Sequence, residues 1–400
     1  MQSYLEVFIN KLKIGEITLL ANERNLFVFD DDYLAMKDKP ILSQSFFDKS
    51  GEIIVQTKIV QTKLPPFFSN LLPEGHLRQY LAQQGGINQQ SEFKLIELLG
   101  GDLPGNVFVK SGNTIDSEIE KGTADLNQDD QIYRFSLAGI QLKFSAIIES
   151  SGGLTIPTSG LGGDWIVKLP AQNFVSVPEN EFSMLQLAKE VGISTPEINL
   201  IDLDKVSGLP ELGILGGDKA LAVKRFDREN GKRIHIEDFA QVYSVFPKDK
   251  YDKVNYGNIA NMVWVLTGQD GLVDFIKRLV FNIIIGNGDM HLKNWSFIYP
   301  DGKTPQLAPA YDFVSTIVYI PNDKLALNLA GEKDMYKISL ASFSKLAKKA
   351  QLPEYLVINT VKETVTSVLE VWNKNKHSYP LSDSIMAGID QHISRLKLFE

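Results

Sequence analysis

Short runs of alternating apolar and polar residues open the chain, and the pattern changes to helical spacing before residue 110. Residues 76–84 and 92–99 repeat apolar positions at helical intervals, and a glycine-rich break follows the second stretch. The stretches whose alternation predicts strands are 4–9, 16–20, 25–29 and 107–109. We therefore expect residues 1–110 to form one small unit of mixed α and β structure.

A polar, acidic stretch without apolar periodicity, residues 111–130, comes next and predicts a linker or a mobile loop. The elements after it follow the order strand, strand, helix, strand, strand. The predicted strands are 144–148, 165–169, 198–201 and 220–226, and the predicted amphipathic helix is 179–191. Residues 131–236 therefore have the element order of the small lobe of a kinase-like fold.

From residue 236 onward the pattern is mostly helical, apart from one central stretch. The predicted helices are 237–242, 256–266, 270–284, 338–350, 354–375 and 382–398. Together with the preceding strands, they favour a two-lobe α+β fold. Its C-terminal lobe is residues 237–400, and the unit at 1–110 is an extra N-terminal subdomain.

Three polar residues in the central stretch, residues 281–314, suggest a chemistry. Asp289 follows a buried apolar run, Asn294 stands five residues later, and Asp312 stands eighteen residues beyond that. In phosphoryl transfer one carboxylate faces the attacking hydroxyl, while an amide oxygen and a second carboxylate hold magnesium at the nucleotide phosphates. A structural turn is the alternative, because Asp and Asn beside Gly are common turn formers. The strand-like segments on both sides favour a catalytic loop and a metal-binding loop.

A lysine on a small-lobe strand is expected to grip the nucleotide phosphates in such a fold. Lys168 lies in the apolar strand at 165–169, and Glu181 on the next helix is its candidate partner. A lysine that only blunts a strand edge is the alternative. The chain has neither G-x-G-x-x-G nor G-x-x-x-x-G-K-[ST]. The segment Ser136 to Lys143, with one glycine and one cation, stands in their place and is a weak signal by itself.

Further candidates for the nucleotide site surround these motifs. Tyr311 directly precedes the metal-binding carboxylate and is a candidate for stacking on adenine, although a buried aromatic is the alternative. His291 and Lys293 lie within the catalytic loop, where they are candidates to offer a hydrogen-bond donor and a cation to the phosphates. The last small-lobe strand ends at Lys224, Arg225 and Phe226, which form the predicted hinge. The backbone of the hinge would pair with adenine.

Composition and charge narrow the function classes. Of the 400 residues, 44% are hydrophobic and 22% are charged, which is ordinary for a soluble protein. Cysteine is absent, which excludes disulfides and thiolate metal sites. A net charge of −8 argues against extended DNA binding by this chain alone. No apolar run reaches about 18 residues, and the first residues lack a signal-peptide pattern, so we expect a cytoplasmic location without membrane contact.

Taken together, these motifs resemble the HipA-type serine/threonine kinases, the toxins of bacterial toxin–antitoxin pairs. The N-terminal segments FFSNLLPEG and LIELLGGDLPGNV are similar to that family's N-terminal subdomain. The resemblance covers essentially the whole chain, although the helical C-terminal third matches only loosely. The specific segments are FSLAGIQLK at 135–143, WIVKLP at 165–170, NEFSMLQLAKEVG at 180–192, VKRFDR at 223–228, FNIIIGNGDMHLKNWS at 281–296 and APAYDFVST at 308–316.

The resemblance implies a role for each matching residue, with ATP and Mg²⁺ as cofactors. Asp289 would accept the proton, Asn294 and Asp312 would hold magnesium, and Lys168 would contact ATP. Ser136 stands where family enzymes phosphorylate themselves; a phosphate there, with about two negative charges, would be poorly tolerated beside ATP. The alternative for Ser136 is a structural hydroxyl. The implied phosphate loop consists of Ala138, Gly139, Ile140, Gln141, Leu142 and Lys143.

The resemblance also implies partners. Family substrates include aminoacyl-tRNA synthetases such as glutamyl-tRNA synthetase, whose phosphorylation inhibits translation and arrests growth. The usual partner is a helix-turn-helix antitoxin dimer, HipB-like, through which the toxin reaches operator DNA and the nucleoid. An acidic chain suits a basic DNA-binding partner.

Two other functions stay open: a corepressor with little catalysis, and a small-molecule phosphotransferase. The intact catalytic residues argue against the first, and the extra N-terminal subdomain argues against the second.

Overall fold

The computed structural model describes residues 3–55, 57–112, 143–148, 154–155, 163–209 and 215–399. The predicted linker at 111–130 lies outside these ranges except for its first two residues. Ser136 and phosphate-loop positions 138–142 also lie outside them, whereas Lys143 is described.

An N-terminal unit is built on a five-stranded antiparallel sheet with the order β4-β3-β2-β1-β5. In β1 the residues Leu5, Val7 and Ile9 are buried in the unit's own core, and polar residues alternate with them. The elements are β1 (Tyr4–Ile9), β2 (Leu12–Leu20), β3 (Arg24–Phe29), α1 (Asp31–Ala35), β4 (Val60–Gln61), α2 (Pro66–Leu71), α3 (Gly75–Gln84), α4 (Glu92–Leu99) and β5 (Val107–Ser111).

The small lobe contains a six-stranded sheet with the order β10-β7-β6-β8-β11-β9. Its elements are β6 (Lys143–Ile148), β7 (Leu154–Thr155), β8 (Trp165–Lys168), α5 (Val177–Glu190), β9 (Ile198–Asp202), β10 (Val206–Ser207) and β11 (Lys219–Lys224). A hairpin follows, formed by β12 (Arg228–Glu229) and β13 (Lys232–Arg233). Lys168 pairs with Lys143 of β6 on one side and with Leu221 of β11 on the other. It therefore lies on an inner strand, which excludes the edge-lysine alternative.

The C-terminal lobe surrounds one long helix, and a three-stranded sheet with the order β14-β15-β16 lies beside it. The central helix is hydrophobic around most of its circumference and buries its last seven residues, 279–285. The elements are β14 (His235–Asp238), α6 (Phe239–Val242), α7 (Tyr256–Ile285), β15 (Ser296–Tyr299), β16 (Gln306–Leu307), α8 (Leu340–Lys349), α9 (Glu354–Asn375) and α10 (Asp383–Ile393).

One prediction of secondary structure in this lobe was confirmed and one was wrong. The helices expected at 256–266 and 270–284 are present as the two parts of α7, which meet at a kink at Gly268, where φ is 69° and ψ is −151°. The helix expected from Glu237 starts later, because His235–Asp238 pairs with β15 as a strand. Asp238 then caps α6 through a reciprocal pair of hydrogen bonds with Gln241. A strand of four residues depends on its partner, and local periodicity does not reveal that partner.

The N-terminal unit is docked on the C-terminal lobe through buried polar contacts. The carboxylate of Glu237 accepts hydrogen bonds from Ser43 Oγ at 2.5 Å and from the backbone N–H of Gln44 at 3.1 Å. Asn70 donates its side-chain amide to the carbonyl of Val245 at 2.8 Å. These contacts join residues 175 to 194 positions apart, so tertiary packing alone brings them together.

Within the described ranges, none of the helices combines the length and the apolar character that a membrane crossing needs.

Candidate active site

The loop that carries Asp289 begins where α7 ends. Gly286 ends the helix with φ of 69°, a left-handed conformation that favours glycine. The next residue, Asn287, donates to Asn282 Oδ1 at 2.8 Å and to the carbonyl of Asp312 at 3.2 Å. Its own side-chain oxygen accepts the backbone N–H of Asp289 at 3.0 Å. Asn287 therefore ties the two loops that carry the predicted catalytic and metal-binding carboxylates.

Asp289 has two neighbours that fix its surroundings. Its Oδ1 accepts a hydrogen bond from the Tyr251 hydroxyl at 2.7 Å, and its carbonyl accepts one from Asn294 Nδ2 at 2.9 Å. The carboxylate reaches solvent, yet protein crowds around it. This partial loss of hydration raises the pKa of Asp289, although the Tyr251 hydrogen bond opposes the shift. A raised pKa suits a group that accepts a proton.

Asp312 lies between two cations. Its backbone adopts a left-handed conformation with φ of 56°, and its carboxylate contacts Lys143 Nζ at 3.0 Å as well as Lys168 Nζ. Burial disfavours the charged form, but the charges of Lys143 and Lys168 outweigh it, so the pKa of Asp312 lies well below its usual range. The carboxylate is therefore ionised at neutral pH.

Lys168 joins the small lobe to the C-terminal lobe. Its ammonium group forms ion pairs with Glu181 of α5 and with Asp312. Burial works against the charged amine, yet the Asp312 and Glu181 charges raise the pKa of Lys168 above its ordinary value. The Glu181 partner predicted from the sequence is thus in direct contact with Lys168.

His291 is buried, with 6% of its surface exposed. Burial and the nearby charge of Lys250 lower the pKa of His291 to about 3, so the ring is neutral. Its Nδ1 has no hydrogen-bond partner among the described residues. A buried polar atom without a partner is uncommon in folded proteins, and the contact of His291 with the phosphates stays a prediction.

Lys293 contacts the N-terminal unit. Its ammonium lies 2.7 Å from Glu74 Oε1 and donates to the carbonyl of Asn70 at 3.1 Å. Both partners belong to the N-terminal unit. The role of Lys293 at the phosphates stays a prediction, and in the structure its charge is paired with Glu74.

The predicted hinge is only partly open to a nucleotide. The backbone N–H groups of Lys224 and Arg225 donate to the carbonyls of Glu197 and Asp164, at 2.9 and 2.7 Å. The Arg225 guanidinium is buried against Asp227. The backbone N–H groups of Lys224 and Arg225 thus already have partners within the small lobe, and adenine binding by the backbone of Lys224, Arg225 and Phe226 stays a prediction.

Phe226 and Tyr311 remain as the aromatic pair beside the hinge. Their ring centroids lie 5.6 Å apart with an interplanar angle of 30°. The Tyr311 hydroxyl donates to the carbonyl of Lys293 at 3.0 Å and shares a hydrogen bond of 2.5 Å with Ser296 Oγ. Tyr311 is therefore held at its polar end, and its stacking on adenine stays a prediction.

The side-chain oxygen atoms of Asp312 and Asn294 are of the kind that magnesium prefers as ligands. Asp312 is ionised, and Asn294 has committed its amide N–H, which leaves its oxygen as a hard ligand. No group of three His, Cys, Asp or Glu within the described ranges is placed to hold a metal by itself. A cation here would take its other ligands from nucleotide phosphates and water, as Mg²⁺ usually does.

Sequence reasoning missed Tyr251, Asn287 and Glu74, all of which contact the catalytic loop. Asn287 had a usable signal, because it precedes Gly288 and Asp289 in a turn-forming triplet. Tyr251 and Glu74 had none, since they lie far from the loop in sequence.

A strand lysine paired with a helix carboxylate, facing loops that carry Asp, Asn and Asp, defines a protein of the kinase-like class. The family model described as "HipA-like C-terminal domain" matches residues 135–372, and the one described as "HipA N-terminal domain" matches residues 5–110. The chain belongs to the HipA family.

Relatives and a solved structure agree with this assignment. The chain is 47% identical over 390 residues to "Putative kinase Y4dM" of Sinorhizobium fredii, covering 96% of this chain and 95% of that protein. It is 26% identical over 396 residues to "Serine/threonine-protein kinase toxin HipA" of Shewanella oneidensis, covering 89% and 86%. The HipA chain in the Shewanella oneidensis complex of HipA, HipB and operator DNA aligns with a TM-score of 0.74 at 22% identity, over 98% and 96%. The predicted two-lobe fold with an N-terminal subdomain is thereby confirmed.

Proposed function

We propose that this chain is a serine/threonine protein kinase that transfers the γ-phosphate of ATP to a protein, as the toxin of a toxin–antitoxin module. The observation that carries the proposal is the Lys168 ammonium between Glu181 and Asp312. In kinases an inner-strand lysine paired with a helix carboxylate, together with a metal-binding aspartate, aligns the nucleotide phosphates. The 47% identity to a kinase-named relative supports the same class.

In this proposal Asp289 accepts the proton of the acceptor serine or threonine hydroxyl. The hydroxyl oxygen forms a bond to the γ-phosphorus, the bond from that phosphorus to the bridging oxygen breaks, and ADP leaves. Bound Mg²⁺ would neutralise phosphate charge, with Asn294 and Asp312 as its protein ligands. Lys168 and Lys143 would hold phosphate oxygens, while His291 would offer its unpartnered nitrogen to the same region.

Regulation and partners follow from the family and are proposed for this chain. Ser136 is proposed as a site of self-phosphorylation that ends nucleotide binding. The Shewanella oneidensis HipA was solved with HipB and operator DNA, which supports a HipB-like antitoxin as partner, with DNA reached through it. An aminoacyl-tRNA synthetase is the proposed substrate.

The first prediction tests the base. Asp289→Asn removes the proton acceptor while keeping side-chain size, so transfer of label from ATP should fall by at least about 100-fold. The fold should persist, because the backbone contacts of Asp289 with Asn287 and Asn294 do not involve the carboxylate. The measurement is incorporation of label from γ-labelled ATP with Mg²⁺, with the site located by mass spectrometry.

Asp301→Asn is the matched control, because Asp301 is an acceptor in the turn after β15 and outside the cleft. Asp301→Asn should incorporate label from ATP to the same extent as the wild type. Equal labelling of wild type and Asp289→Asn would contradict the assignment of the base. A chain that binds a helix-turn-helix antitoxin but never transfers phosphate would instead be a corepressor.

A further inference from the structure

The contact between Tyr251 and Asp289 has a role in the reaction proposed above, on which this inference rests. A general base must hold one oxygen toward the acceptor hydroxyl, within about 2.6–3.2 Å. A free carboxylate rotates, and its two oxygens are equivalent. Tyr251 removes this equivalence, because it donates to Oδ1 alone, at 2.7 Å. The other oxygen is then the one left for the acceptor.

Tyr251 is 37% exposed, and its ring packs on one side against the catalytic loop. The ring meets His291 edge-on, with centroids 5.0 Å apart and planes at 80°. Lys250 Nζ lies 5.7 Å from the ring centroid, and the Lys250 carbonyl accepts the backbone N–H of Leu292 at 3.4 Å. The segment that carries Tyr251 is thus tied directly to the catalytic loop. A donor supported in this way keeps its position from one turnover to the next.

The neighbouring tyrosine of α7 supports the same loop from another side. Tyr256 is fully buried and donates to the carbonyl of Met290 at 3.0 Å. Tyr256 therefore fixes the backbone beside Asp289, whereas Tyr251 fixes the carboxylate. The Tyr256 hydroxyl thus contacts the main chain beside Asp289, and the Tyr251 hydroxyl contacts the Asp289 side chain.

We propose that Tyr251 is the positioning residue of the catalytic base, which orients the Asp289 carboxylate toward the acceptor hydroxyl. Nothing in this role requires Tyr251 to touch ATP or the acceptor. Loss of its hydroxyl should therefore slow the chemical step without weakening nucleotide binding. Small errors in the placement of a reacting group reduce rates strongly.

The test compares Tyr251→Phe with wild type in the full chain. Phenylalanine keeps the ring that packs on His291 and loses only the donor. The expected result is a fall of about 10-fold in kcat for ATP turnover, with the KM for ATP within two-fold. Tyr243→Phe is the control, because Tyr243 also donates a 2.7 Å hydrogen bond, to the carbonyl of Asn258 outside the site. Its kcat should match that of wild type.

The double variant Asp289→Asn/Tyr251→Phe separates positioning from a general structural role. If Tyr251 acts through Asp289, removing its hydroxyl has no further effect once the base is gone, so the two losses do not add. Additive losses, an unchanged kcat in Tyr251→Phe, or a faster turnover would each overturn the inference.

Failure of the proposed function gives a different result. In that case wild-type turnover is absent, or Asp289→Asn does not reduce it, and the inference falls with the function. Turnover that depends on Asp289 but is indifferent to Tyr251 overturns the inference alone.

Discussion

At the residue scale, the ammonium group of Lys168 links the small lobe to the C-terminal lobe. Lys168 is buried and contacts Glu181 on one side and Asp312 on the other. A buried carboxylate is stable as an anion only while its cation is present. Lys168 therefore holds α5 and the Asp312 loop together, and in the proposed function it would also contact ATP.

The second prediction follows from this pairing. Lys168→Met removes the shared cation and leaves the buried Glu181 carboxylate without its partner, while Asp312 keeps its ion pair with Lys143. ATP turnover should fall by at least about 100-fold, and the free energy of unfolding should fall by about 3 kcal/mol, as expected for a broken buried ion pair. The measurements are a turnover assay and urea unfolding.

Lys219→Met is the matched control, since Lys219 lies on the same sheet and pairs with Asp202 near the surface. An exposed pair contributes less than about 1 kcal/mol, so this variant should remain active and nearly as stable. Equal losses in both variants would show that Lys168 is merely one more lysine of the sheet.

At the scale of elements, the turn before α3 reaches the catalytic loop. Glu74 Oε1 lies 2.7 Å from Lys293 Nζ, and Glu74 Oε2 lies 3.1 Å from Lys250 Nζ. Burial opposes its charge, but the two lysines lower the pKa of Glu74 to about 2, so it is ionised at neutral pH. The N-terminal unit therefore holds the catalytic loop through an ion pair as well as through packing.

The third prediction concerns this ion pair. Glu74→Gln should lower kcat for ATP turnover by roughly 10-fold, because Lys293 loses its partner and the loop loses precision. The KM for ATP should stay within two-fold, because the change leaves Lys168 and Lys143, the proposed contacts of the phosphates, in place. Glu97→Gln is the control: Glu97 forms a 2.7 Å pair with Lys94 elsewhere in the same unit. A Glu74→Gln enzyme with normal kcat would show that the pair is dispensable.

At the scale of the whole molecule, a buried carboxylic acid lies where the N-terminal unit meets the C-terminal lobe. Glu237 is fully buried and accepts hydrogen bonds from Ser43, Gln44 and Tyr299. Burial raises the pKa of Glu237 to about 7, although the three donors oppose the rise. Its protonation is therefore coupled to the docking of the two parts.

The fourth prediction is a dependence of stability on pH. The folded pKa of about 7 lies above the unfolded value of 4.5. The stabilisation from Glu237 is thus complete below pH 4.5 and is lost as the pH rises through 7, on the order of 3 kcal/mol. Glu237→Gln should remove this loss, so the free energy of unfolding of the variant should rise relative to that of wild type between pH 5 and 8.

Urea unfolding at several pH values measures this effect. Glu197→Gln, which removes an exposed carboxylate paired with Lys224, should leave the pH profile unchanged. Parallel profiles for wild type and Glu237→Gln would contradict the coupling.

The sequence by itself determined the parts of this protein that are local. Asp289, Asn294 and Asp312 stand on one short stretch behind a buried helix end, and Lys168 stands on an apolar strand. The spacing of such motifs can be read directly from the sequence, so the sequence predicted the kinase-like class without a structure. The strand-to-helix order of the small lobe was visible for the same reason, because hydrophobic periodicity is a short-range signal.

Only the tertiary structure decided which distant groups meet the catalytic loop. Tyr251 reaches Asp289 across 38 positions, and Asn70 reaches Lys293 across 223. Sequence spacing placed Lys293 in the catalytic loop and Arg225 at the hinge. The structure adds that Lys293 is paired with Glu74 of the docked N-terminal unit and that Arg225 is paired with Asp227 in a buried ion cluster. A charged side chain binds the partner that packing brings near it, and packing between units leaves no periodic trace in the chain.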